Sequence, residues 1–196
     1  MQKIRKNDLV TNGITLLLFM TSFWAVVWAL RYGGLSNYGY YTNQSNFLVF
    51  IIVMLFLIQN DKKKWFPYLA AITLIDMFMT SIIFHLLIAT PPITFQNHLT
   101  HTINPILFVL FYFLVYPNSI KLRHSYILLL HPVLYFSIFL VIGNVTGFYP
   151  YGFMNVTING LSGVLKTSAF IILPLIAIMS FFLMAIKKKI EQSDIE

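Results

Sequence analysis

No cysteine occurs in the 196 residues. That removes disulfide frames, thiolate metal sites and cysteine nucleophiles from consideration. Charge is scarce as well, with only 10% of residues charged and six of them acidic. A water-soluble domain carries about a quarter charged residues and needs them to cover its surface. The 13 Lys and Arg residues do not gather into a basic face of the kind that binds nucleic acid. Repeats, low-complexity segments and linkers are also missing.

What is present is apolar: 58% of residues are hydrophobic and the mean hydropathy is +0.77. The composition reads as an all-α integral membrane protein in a single domain over residues 1–196. A membrane helix needs about 20 mostly apolar residues. Six stretches qualify: Leu9 to Leu30, Tyr41 to Ile58, Trp65 to Ile88, Asn97 to Tyr116, Ser125 to Ile142 and Leu161 to Ile186. The first is too long for a signal peptide, and Arg31 follows it where small residues would mark cleavage.

Eleven cations fall on one side of these spans: Lys3, Arg5, Lys6, Lys62 to Lys64, Lys121, Arg123 and Lys187 to Lys189. The positive-inside rule therefore predicts that both termini are cytoplasmic. Residues 187–196 read as a short solvated tail. The composition suits a bacterial plasma membrane, so the Asn-x-Ser/Thr sequons at Asn43, Asn144 and Asn155 are read as accidental.

Polar side chains inside a bilayer are costly and are candidate functional groups. With this orientation Thr42, Gln44, Ser45 and Asn46 of span two lie near the outer interface. His98, His101 and Asn104 of span four, His85 of span three, and Ser162, Lys166 and Thr167 of span six fall in the same layer. These residues predict a polar pocket opening toward the outer leaflet, capped by the loop GNVTGFYPYGFMNV. Pro105 cannot donate to the carbonyl of His101, which predicts a distortion there. Asp76 is the lone acidic residue in the spans. His131 lies close enough in depth to form a buried pair with it, as a structural element or a proton path.

Two chemistries fit these residue types. A hydroxyl activated by an imidazole makes a nucleophile, and Thr42 with His101 is a possible couple. Asn104, Asn46 or a backbone carbonyl would orient the ring, and Gln44, Asn46 or Lys166 would stabilise an oxyanion. Alternatively His85, His98 and His101 form a metal site through the His-x-x-His spacing. The residue pattern leaves both open.

The succession of YYTNQSNFLV, NHLTHTINP and VTGFYPYGFMNV resembles the androgen-induced-gene and androgen-dependent TFPI-regulating family of membrane proteins, and above all its small bacterial six-span branch. The resemblance implies a multi-span hydrolase acting on fatty acid esters of hydroxy fatty acids. It places the family's nucleophilic Thr at Thr42, its catalytic His at His101 with His98 beside it, and its VTG-aromatic segment at Val145 to Pro150. On this reading no cofactor or metal is required and nucleic acid is not a partner. The partners are membrane lipids and a lipid or fatty acyl ester substrate. A non-enzymatic lipid or small-molecule binder or transporter with the same pocket is the competing class.

Overall fold

The computed structural model describes residues 8–193, so Lys3, Arg5 and Lys6 lie outside it. Among the described residues every regular element is helical. Helix α1 runs Asp8–Gly33 and passes through a 3-10 turn, Gly34–Gly39, into α2, Tyr41–Leu57. Gly34 at φ 57° makes that transition, in a left-handed conformation that costs glycine little. Helix α3, Phe66–Ile83, opens with Pro67 in its first turn, where a missing N–H costs nothing. Then come α4 (Phe95–His98), α5 (Asn104–Leu110), α6 (Leu130–Thr146), α7 (Val156–Thr167) and α8 (Leu173–Ser193). Gly160 at φ 68° breaks the start of α7, so its straight part begins at Leu161.

Five helical stretches are long and apolar enough to cross a membrane: Leu9–Gly39, Phe66–Ile88, Phe95–Val115, Leu122–Thr146 and Val156–Gln192. The chain is thus built as an integral, multi-pass membrane protein. The second expected span is shorter than the rest. Helix α2 has 17 residues, about 25 Å at 1.5 Å per residue, against a hydrocarbon core of about 30 Å. The polar run at its start explains the shortfall, because those side chains bond backward into the preceding turn.

Proline sets the course of the other helices. Pro105, Pro117 and Pro174 each stand two residues beyond a π turn, at Leu99–Ile103, Phe111–Val115 and Ser168–Ile172. The backbone N–H groups of Asn104, Tyr116 and Leu173 bond five residues back, to Leu99, Phe111 and Ser168. The carbonyls of Thr100 and Tyr112 lose their α-helical donors this way, and the π-register donor would be proline, which has none. Both carbonyls find side chains instead. Asn46 donates to Thr100 at 3.3 Å and Lys187 to Tyr112 at 2.8 Å.

Lys187 corrects the expectation of a solvated tail after residue 186. It is fully buried, donates also to the Tyr116 carbonyl at 2.5 Å, and lies 5.4 Å from the Tyr112 ring centroid. Helix α8 continues to Ser193, and Glu191 accepts from Ser119 at 2.5 Å. The carbonyls exposed by the π turn reward burial of an ammonium there.

The core lies where α1, α2, α3 and α5 meet, around Val49, Ile52, Ala70, Ala71, Leu74 and Phe108. Lipid is as apolar as these side chains, so close contact rather than water exclusion holds them. Ala70 and Ala71 permit that contact on α3. Helices α6 and α7 lie to the side, and the space between them and α3 houses the site.

Candidate functional site

The first turns of α2 are tied on nearly every side. The Tyr41 hydroxyl donates to Asp76 Oδ1 on α3. Asp76 Oδ2 lies 2.8 Å from His131 Nδ1 on α6, which is the pair expected from depth. His131 Nε2 meets Gln44 Oε1 at 3.1 Å, and Gln44 Nε2 donates to the Tyr38 carbonyl at 2.6 Å. A carbonyl only accepts, so the Tyr38 bond fixes which way the Gln44 amide points. Both His131 nitrogens therefore face side-chain oxygens, one of Asp76 and one of Gln44. Asn43 donates to the Asn37 carbonyl at 2.8 Å. Asn46 donates to the Thr42 and Thr100 carbonyls, and its own Oδ1 accepts from Asn104 at 2.6 Å.

Thr42 sits inside this scaffold, and its hydroxyl belongs to a different environment. It lines a cavity of about 220 Å³ together with His101, Thr80 and Tyr151. The wall is otherwise mostly apolar. Tyr151 borders the same cavity as Thr42, and burial pushes its phenol above its ordinary pKa. It remains an O–H at neutral pH.

His101 lies within the π turn ahead of Pro105, the distortion that proline predicts. Its Nδ1 is 3.3 Å from the Thr80 carbonyl. That oxygen can only accept, so Nδ1 carries the proton and Nε2 keeps its lone pair. The ring stacks on Phe84, with centroids 3.8 Å apart and planes 10° apart. A backbone carbonyl, rather than Asn46 or Asn104, thus orients the imidazole. No direct hydrogen bond joins Thr42 to His101.

Several expected positions fall elsewhere. Gln44 braces His131, and Asn46 and Asn104 form a buried bridge between α2 and α5 that does not border the cavity. His98 and Lys166 are exposed and stand outside the cavity lining. Lys166 follows Leu165, which does border the cavity, and one residue along a helix turns a side chain about 100° away. His85 bonds Thr102 at 2.9 Å. Among the described residues no three His, Asp or Glu side chains gather as a metal-binding set, so the His85, His98 and His101 alternative lacks its geometry.

Thr80 and Tyr151 were missed as site residues. Thr80 is buried, lines the cavity, and its hydroxyl has no hydrogen-bond partner. Tyr151 comes from the irregular 147–155 segment, which folds inward through Met154. Its aromatic density was the available signal. Both bring hydroxyls to the cavity wall, where Gln44, Asn46 and Lys166 had been expected.

No protein-family model, curated protein or solved structure matches the chain.

Proposed function

We propose that the chain is a six-span membrane hydrolase of lipid or fatty acyl esters, with both termini cytoplasmic and its cavity toward the outer leaflet. The family resemblance through Thr42 and His101 points the same way, as does the distribution of cations. One observation carries the reading above all. Thr42 and His101 border one mostly apolar cavity, and the Thr80 carbonyl holds the imidazole in the tautomer a base requires.

In this mechanism the Thr42 hydroxyl adds to the ester carbonyl and its proton passes to His101 Nε2. The carbonyl oxygen becomes an oxyanion that the Tyr151 and Thr80 hydroxyls stabilise. Collapse expels the alcohol, which takes the proton back from His101 and leaves an acyl-Thr42 ester. Water, deprotonated by His101, then releases the acid and restores the hydroxyl.

A long-chain alkyl fluorophosphonate tests this directly. Stoichiometric phosphonylation of Thr42, lost in His101→Ala, is the expected result. Unlabelled Thr42 with intact probe bound in the cavity would instead favour a non-enzymatic lipid binder. The absence of a direct Thr42–His101 hydrogen bond is the observation on that side.

A further inference from the structure

The cavity has a buried floor and an exposed rim. Tyr41, Met79, Thr80 and Met154 are buried at its base. Val133 and Ser137 on α6, and Leu165 and Ala169 on α7 and the π turn that follows, border the same cavity and are all exposed. Val133 is 39% and Leu165 45% exposed. Within each pair the residues are four apart, so each pair forms one helix face. The two faces form the sides of a mouth between α6 and α7, and none of these four residues is charged.

The surface around this mouth is apolar. Leu134, Ile138 and Val141 on one side, and Phe170 and Ile171 on the other, are at least 49% exposed. In a chain built to cross a bilayer such a surface faces hydrocarbon, so the mouth opens sideways into lipid. The cavity, at about 220 Å³, is also smaller than the roughly 300–1,000 Å³ that encloses a whole drug-sized ligand. It fits a section of a longer molecule whose remainder stays outside.

From this geometry we infer that the cavity admits one unbranched acyl chain of a bilayer-resident lipid through the mouth between Val133/Ser137 and Leu165/Ala169. The inference deepens the ester-hydrolase reading and rests on it for what becomes of the chain; the binding itself is tested separately. The mouth selects molecules that partition into the bilayer, and water-soluble short-chain esters reach Thr42 poorly.

The test uses the full chain in phosphatidylcholine vesicles containing a palmitoyl lipid with a terminal diazirine. After irradiation, mass spectrometry of peptides reads where carbene adducts form. Adducts on the buried floor residues Met79 and Met154 are expected beside those on lipid-facing α1. Ala169→Trp, which fills the mouth, is expected to cut floor labelling at least tenfold while α1 labelling stays constant. Ser137→Phe on the opposite side should do the same, which guards against one variant misfolding. Floor labelling that is absent in the unmodified chain, or that survives both substitutions, overturns the proposal. Floor labelling without any ester turnover leaves the mouth standing and removes the hydrolase reading alone.

Discussion

His101 and Phe84 lie face to face, 3.8 Å between ring centroids, and Thr80, whose carbonyl accepts from His101 Nδ1, stands four residues before Phe84. Carbonyl and ring therefore come from one face of α3 and the π turn, Phe84–Ile88, that continues it. A single helix surface fixes both the tilt of the imidazole and its tautomer.

Thr42→Ala and His101→Ala are each expected to abolish hydrolysis of a long-chain ester by protein reconstituted in vesicles. Groups that act as a unit lose activity non-additively, so the double variant should be scarcely slower than either single one. Thr42→Ser should retain measurable turnover and Thr42→Val none. Turnover by Thr42→Val would remove threonine from the mechanism.

Phe84→Ala removes the stacking surface but leaves the Thr80 carbonyl. The released ring misplaces Nε2, and misplacement by about 1 Å costs on the order of 100-fold in rate. The loss should appear in kcat, with KM little changed, because Phe84 holds the base. An unchanged kcat would show that the carbonyl alone orients the ring.

His131→Leu leaves the buried Asp76 carboxylate without its 2.8 Å partner. Removing one member of a buried pair costs about 3–5 kcal/mol. The variant should unfold in denaturant with a correspondingly lower midpoint in detergent. Asp76→Leu combined with His131→Leu should recover much of that loss, since no charge remains to be compensated. Equal loss in the single and double variants would contradict the pairing.

Reporter fusions test the orientation. The loop bearing Lys62 to Lys64 should report as cytoplasmic and the loop bearing Thr94 as external. A cytoplasmic Thr94 would reverse the assignment and place the cavity toward the inner leaflet.

The Asp76–His131 contact was legible in the sequence, but direction around the helix axis was less so. Asp76 and His131 lie on different spans, and their similar depth was enough to anticipate their contact. His98 and Lys166 were expected in one layer with Thr42, yet both are exposed outside the cavity. Which side of a helix meets a neighbour depends on packing that no local pattern encodes. Pro105 announced a distortion at His101, and Pro117 and Pro174 carry the same signal for two more π turns. The part played by Thr80 was hidden for a simpler reason. Its working group toward His101 is a backbone oxygen, which every residue possesses.

The π turn at Leu99–Ile103 behaves, in ladder terms, as one residue inserted into an α-helix. Taking out a single residue there would restore ordinary winding. The helix before and after the turn would keep its relation, and only residues inside the turn would shift around the axis. His101, inside the turn, would leave its place over Phe84. The stretch Leu99–Ile103 should thus tolerate exchange of side chains far better than any change in length, and its residue count is as much a part of the site as its histidine.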